Sequence, residues 1–182
     1  AAIGVALLGG CQQTADKPAP APQVQVEQSE ITKANAFFEE VFTSSVMRSP
    51  IYQTYMGIKQ DYDKWDDDSE ETTLKELAIT KKNLVTLNSI DRNKLDEATQ
   101  VSYDLMKQNL EDNIADYKWR HHNSPVNQMF GIHSMVPAFL INQHQISNVK
   151  EAKDYISRLN GVPKVFDQLI TNLEIRADKG II

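Results

Sequence analysis

The sequence predicts an all-α fold, an irregular helical bundle, and three observations carry that expectation. From Glu30 onward apolar residues recur every three or four positions, the period of a helix. Residues that start helices, Ser69 and Asn148 among them, stand directly ahead of those stripes. No stretch alternates apolar and polar side chains in the manner of a half-buried strand, and no internal repeat is present.

Composition allows such a bundle a core of its own. The chain has 182 residues, of which 41% are hydrophobic and 24% charged, enough for one ordinary globular domain. Its net charge of −6 argues against a generic nucleic-acid partner, whose affinity would rest on Lys and Arg neutralising phosphates. Seven glycines leave little room for a glycine-rich phosphate cradle. No apolar run approaches the roughly 18 residues of a transmembrane helix. A single cysteine excludes an intramolecular disulfide and any multi-cysteine metal site.

That cysteine closes the first segment. Residues 1–10, AAIGVALLGG, have the apolar h-region and small residues of a secretory signal, without an initiator Met or basic n-region. Leu8-Gly9-Gly10-Cys11 resembles the lipobox of bacterial lipoproteins. The resemblance implies a truncated lipoprotein signal peptide over 1–10, with lipid attachment at Cys11 and cleavage before it. A buried cysteine in a short helix is the competing reading; Gly9-Gly10 would weaken such a helix, and polar sequence follows at once. The two or three acyl chains of a lipoprotein meet the two-signal condition for stable anchoring. Gln12 after the cysteine, by the same resemblance, favours the outer membrane, placing the protein in the bacterial envelope facing the periplasm or the surface. Residues 11–29 are polar and carry Pro18, Pro20 and Pro22, so they read as an extended tether rising ~3.1 Å per residue off the membrane.

The helical segment is expected over 30–182. Ile31, Ala34, Phe37/Phe38, Val41/Phe42 and Val46 form the first stripe, which Ser49-Pro50 ends because a residue before proline leaves the α region. IYQTYMG (51–57) reads as an aromatic connection closed by Gly57. A second helix begins near Asp68-Ser69, with Glu70-Glu71 at the positive end of its dipole and Leu74, Leu77/Ala78 and Leu84/Val85 inward. A third runs from about Leu95 to Trp119 with Ala98, Val101, Leu105/Met106, Leu110, Ile114 and Tyr117 inward. Its end carries Lys118, Arg120, His121 and His122, the cations that a helix C-terminus prefers. Pro125, Gly131 and Pro137 break up 123–147, leaving a short helix at Ala138–Asn142. Asn148 and Glu151 then make an N-cap with an acid at the third position. That helix presents Tyr155/Ile156 and Leu159 and is expected to stop at Asn160-Gly161. Pro163 opens the next, which buries Phe166, Leu169/Ile170 and Leu173.

Candidate chemistry is sparse. DYDKWDDDSEE (61–71) packs seven acids around one Lys, but a calcium loop counted from Asp61 needs Gly where Asp66 stands and Glu where Thr72 stands. A solvated loop feeding a helix is the better reading. None of His121, His122, His133 and His144 belongs to an H-E-x-x-H or Glu-x-x-His pattern, and helix neighbours such as His121 and His122 point about 100° apart. No G-x-S-x-G nucleophile elbow occurs. Tyr155-x-x-Arg158 offers an aromatic ring and a guanidinium on adjacent faces, with a salt bridge to a neighbouring helix as the default and an anion site as the alternative. The sequence therefore predicts no catalytic residue, no metal ligand and no cofactor within this segment.

Several pieces in order resemble the N-terminal part of the DUF885 family of bacterial proteins. They are SPIYQTYMG (49–57), WDDDS (65–69), SPVNQMFGIHSMVPAFLINQHQI (124–146), EAKDYISRLNGVPKVFDQLI (151–170) and the trailing RADKGII. The resemblance implies a longer, mostly helical parent similar to zinc-dependent carboxypeptidase-like peptidases, acting on peptide substrate. Its zinc would sit on an H-E-x-x-P-G-H-like motif in the C-terminal half, where the Glu activates a zinc-bound water. That motif is absent from this stretch, so the segment would supply walls of a cleft and pack against the missing C-terminal portion of the same chain. The alternative is a non-catalytic helical lipoprotein that acts as a binding or scaffold module.

Overall fold

The computed structural model describes residues 22–181, and the described residues form an irregular all-α bundle of six α-helices without strands. The expected signal peptide over 1–10, the lipid attachment residue Cys11, most of the tether and the terminal Ile182 lie outside the described residues.

Helix α1 spans Pro22–Arg48 and so begins ahead of Glu30, within the stretch expected to be tether. Proline suits a first helical turn, where its missing N–H has no intrahelical partner to lose. Helix α3 spans Glu70–Asn88, and α4 spans Glu97–Asp116. The short connection between them, with a 3-10 turn at Arg92–Lys94, folds α4 back along α3. These three helices share the larger core: Ala34, Phe37, Leu87, Ile90, Leu95, Tyr103 and Leu110.

The buried stripes of α3 and α4 lie beside the expected ones. On α3 the inward side is Thr73, Leu77, Thr80, Leu84 and Leu87, while Leu74 and Val85 are exposed. On α4, Thr99, Tyr103, Met106 and Leu110 face in, as Leu95 does just ahead of it, and Ala98, Val101 and Leu105 face out. Threonines fit the seam of α3 because their hydroxyls are satisfied within the helix, Thr73 Oγ1 by the Ser69 carbonyl at 3.0 Å and Thr80 Oγ1 by the Glu76 carbonyl at 2.8 Å. A stripe that counts only apolar residues misses such positions.

The expected connection at 51–57 begins with a helix, α2 (Pro50–Tyr55). Ser49 ends α1 and at once caps α2, its hydroxyl accepting from Tyr52 N. Gly57 closes the turn at φ 76°, a conformation that favours glycine.

Helix α5 covers Ile132–Asn142, six residues longer at its start than the Ala138–Asn142 expected, with Pro137 inside it. Gly131 precedes it at φ 149°, and a Cβ there would stand 2.8 Å from the Pro125 carbonyl oxygen. Helix α6 is one continuous helix, Val149–Asp178, rather than two helices parted at Asn160-Gly161. Pro163 removes one internal hydrogen bond, but the turns on both sides bury against the same surface and hold the axis together. Val165 packs with Val136 and Leu140 of α5, and Trp65, Tyr155, Val162 and Phe166 surround that second core. Ile156, Leu159, Ile170 and Leu173, expected inward, are exposed.

Candidate functional site

The acid-rich segment 61–71 is ordered by its own side chains rather than simply solvated. Asp66 accepts from Ser49 Oγ at 2.6 Å and from Ile51 N at 2.9 Å, tying the segment to the start of α2. Asp61 accepts from Gln53 Nε2 at 2.9 Å, and Tyr62 is buried with its hydroxyl 3.1 Å from the Gln145 carbonyl. Trp65 donates Nε1 to the Arg158 carbonyl at 2.8 Å.

Arg158 is the hub behind this segment. It is fully buried, and the salt bridge expected of it is not made with any carboxylate among the described residues. Its guanidinium donates instead to the carbonyls of Lys64 (2.9 Å) and Pro50 (3.3 Å) and to Thr54 Oγ1 (2.8 Å). Its Nη1 also lies 3.0 Å from His144 Nδ1, and the rings of Tyr62, Trp65 and Phe139 enclose it. His144 is buried, sandwiched by Tyr62, with Nε2 against the Glu151 carbonyl at 3.2 Å. These donors and acceptors are used up, so the hub leaves no room for an anion and is structural. It fixes where the segment 65–70 enters α3.

That entry point forms one wall of a cleft of about 440 Å³, the size of a small-ligand pocket. Ser69 caps α3 through Thr72 N at 3.2 Å, which aims Glu70 out of the first turn. The far end of α4, after its 3-10 turn at Tyr117–Trp119, brings Arg120 and His121 to Glu70. Arg120 Nη2 donates to Glu70 Oε2 at 3.3 Å while its plane stacks on Tyr117. His121 Nε2 stands 3.2 Å from Glu70 Oε1 without hydrogen-bond geometry. Helix α6 supplies Arg176, whose terminal nitrogens donate to the carbonyl and Oδ1 of Asn123. One turn earlier Asn172 donates to the Asp68 carbonyl at 3.0 Å.

Electrostatically the cleft mixes cations and acids. Burial, with Lys179, Arg120 and Arg176 nearby, holds the His121 imidazole below its ordinary range, so it is neutral at neutral pH. Among the described residues three buried side-chain nitrogens have no hydrogen-bond partner, Arg120 Nε, His121 Nε2 and Arg176 Nε; they lie beneath the surface in residues that line this cleft. Asp68 lines the same cleft, and its carboxyl is pushed up by desolvation and then by Asp66 and Asp67. No cation among the described residues pairs with Asp68, whereas Asp67 accepts from Gln168 at 2.8 Å and Glu76 is clamped by Arg48 at 2.7 Å.

The cleft does not fit zinc. Among the described residues no group of three or more His, Cys, Asp or Glu converges on a point, and His121 has Arg120, Arg176 and Lys179 around it. A divalent cation would face that positive charge with one imidazole and one carboxylate already engaged by Arg120. The remaining histidines are dispersed: His144 is in the hub, His122 is exposed with its ring edge against Trp119, and His133 is exposed on α5. No described helix is long and apolar enough to cross a membrane.

Sequence reasoning weighs His121 as a metal ligand and the acids of 61–71 as a calcium loop, sets both aside, and does not bring them together as one cleft. The run Lys118 to His122 carried the signal, a cationic helix end, but that pattern also complements any helix dipole. Arg176 carries no local signal, since only the fold brings it to Asn123. The family described as "Bacterial protein of unknown function (DUF885)" matches residues 50–182. No curated protein and no solved structure matches the chain.

Proposed function

The chain belongs to the DUF885 family, and from that premise we propose that it is the N-terminal helical segment of an envelope lipoprotein whose whole form is a zinc-dependent, carboxypeptidase-like peptidase. In this reading the segment is tethered through lipid on Cys11, and it contributes a substrate-facing wall while the metal is held by another portion of the parent. The observation that carries the reading is the open cleft between the start of α3, the end of α4 and α6. It brings cationic and acidic side chains onto one open surface, as a wall that recognises a polar substrate requires, and no metal-ligating cluster occurs among the described residues.

The full-length parent tests this. It is expected to retain about one zinc per chain on purification and to trim C-terminal residues from peptides, with loss of activity under a chelator and recovery on adding zinc. A pure, folded parent that binds no zinc and leaves peptides intact would sink the peptidase reading. The tether has its own test: labelled fatty acid is expected to enter the parent expressed with its leader, and Cys11→Ser is expected to abolish incorporation.

A scaffold reading draws on one observation. Val101 and Leu105 lie exposed one turn apart on α4, an apolar pair that a partner surface would cover. An inactive parent that co-purifies stoichiometrically with another envelope protein, and loses it on Leu105→Glu, would favour that alternative.

A further inference from the structure

We infer that the outer face of α6 pairs with the same face of a second copy of this chain, the two helices running antiparallel about a two-fold axis. The pairing lies beyond the reading of the cleft and does not depend on it.

The seam is written in the spacing of α6. Val149, Ile156, Pro163 and Ile170 stand seven residues apart. Ala152, Leu159, Phe166 and Leu173 form a second line, each three residues after a member of the first. Apolar residues alternating three and four apart over more than three heptads are the pattern by which two helices interlock their side chains. Within its own bundle α6 buries a different side, through Glu151, Arg158, Val165, Leu169 and Arg176. The seam is left open: Val149 is 74% exposed, Ile156 56%, Ile170 51% and Leu159 45%. Phe166 alone among its large side chains also reaches the core beside α5. Thirty residues of helix make this seam about 45 Å long.

The flanking charges name the occupant. Lys153, Asn160, Asp167 and Glu174, each one residue after the second line, are exposed along one edge of the seam. A two-fold axis across the helix lays that edge against itself in reverse, as in any isologous contact. With the axis between Lys164 and Val165, Ile156 meets Leu173 of the second copy, Leu159 meets Ile170, and Pro163 meets Phe166. The same register sets Lys153 beside Glu174 and Asn160 beside Asp167, and symmetry makes each contact twice. No like charges oppose each other. Lys153, Asp167 and Glu174 make no ion pair among the described residues, so none has to be broken to form these. A parallel pair would instead set this edge against Tyr155, Val162, Leu169 and Arg176. The first three are uncharged and the last two are buried in their own bundle.

Sedimentation equilibrium of the whole chain tests this, under reducing conditions so that Cys11 cannot link two copies. A monomer–dimer equilibrium with Kd in the micromolar range is expected. Ile156→Glu puts two carboxylates into the seam and is expected to weaken dimerisation about a hundredfold. Lys153→Glu and Glu174→Lys are each expected to weaken it about tenfold, and the double variant carrying both is expected to restore it. Restoration is specific to the antiparallel register. Far-UV circular dichroism should be unchanged in every variant, and the charge exchange alone suffices if Ile156→Glu does not fold. A chain that stays monomeric into the millimolar range overturns the inference, as it would if another segment covers α6. So does a dimer indifferent to Ile156→Glu, or a double charge exchange that fails to restore what the single ones lose.

Discussion

Arg158 is held by four polar contacts and three aromatic rings, with no carboxylate among the described residues to balance it. Removing it would leave the Lys64 carbonyl and the His144 Nδ1 without this donor, while the Pro50 carbonyl would keep only the Thr54 hydroxyl, at 2.9 Å. Each such orphan costs about 1–3 kcal/mol, so Arg158→Ala is expected to cost about 3–5 kcal/mol in urea denaturation, a large share of any domain's stability. A loss below about 1 kcal/mol would show that water replaces the guanidinium at little expense. Its neighbour His144 makes the hub pH-sensitive. Burial, then the charge of Arg158, depress this imidazole from its ordinary 6.5, against the Glu151 carbonyl bond and the charges of Asp154 and Glu151. Tyr62 and Tyr155 pack on its ring. A histidine depressed in the fold binds its proton more readily when unfolded, so its contribution is full above 6.5 and falls as pH drops below it. Stability is expected to be lower at about pH 5 than at about pH 7.5. His121 is depressed likewise and adds to the slope. His144→Gln, which keeps an acceptor for Arg158 without titrating, is expected to flatten part of that slope; an unchanged slope would assign the effect elsewhere. Tyr155-x-x-Arg158 was legible in the sequence as a notable pair. Its role was not, because Pro50, Lys64 and His144 come from three distant places in the chain.

At the scale of elements, caps were the most legible feature, because a cap is a local contract between a side chain and the next turn. Ser69 and Asn148 bond the backbone N–H groups of Thr72 and Glu151, as their positions implied. Glu151 reaches back to Ser147 N at 2.7 Å, one residue earlier than a standard capping box, while also pairing with Lys59 at 2.6 Å. Helix breaks were misread where tertiary packing outweighs local preference, and Gly161-Val162-Pro163 inside α6 is the clearest case. Gly161 sits there because Trp65 crosses the helix at that point: a Cβ would be 3.0 Å from Trp65 Cδ1. The ring cannot swing away cheaply, since its Nε1 is committed to the Arg158 carbonyl. Gly161→Ala gains up to about 1 kcal/mol of helix propensity but overpacks a fixed ring at about 1–3 kcal/mol. Net destabilisation is expected, by about 1 kcal/mol, read from the denaturation midpoint. A more stable variant would show that Trp65 relaxes freely, and that the hub is looser than its contacts imply.

For the whole molecule the decisive comparison is between apolar side chains hidden and shown. Fourteen apolar residues are buried among the described residues, while nineteen large ones are exposed. The exposed set includes both faces where the stripes were expected, Leu74 and Val85 on α3 and Val101 and Leu105 on α4, and Ile156, Leu159, Ile170 and Leu173 along α6. The periodicity was thus read correctly as helical, but a stripe does not say whether its partner is within reach. The buried residues also split into two cores, one on α1, α3 and α4 and one on α5 and α6. A single buried Leu or Phe contributes about 1.5–3 kcal/mol, against about 5–15 kcal/mol for a typical domain, so two small cores stand near the margin. Residues 30–182 alone are therefore expected to be helical by far-UV circular dichroism, to bind ANS, and to melt broadly rather than in one sharp step. Near-UV dichroism sharpens the test, because Trp65 and Tyr62 in the hub should lose their signal before the helices unwind. A monomer that melts cooperatively without binding dye would mean that the two cores act as one, and that the exposed stripes need no covering surface.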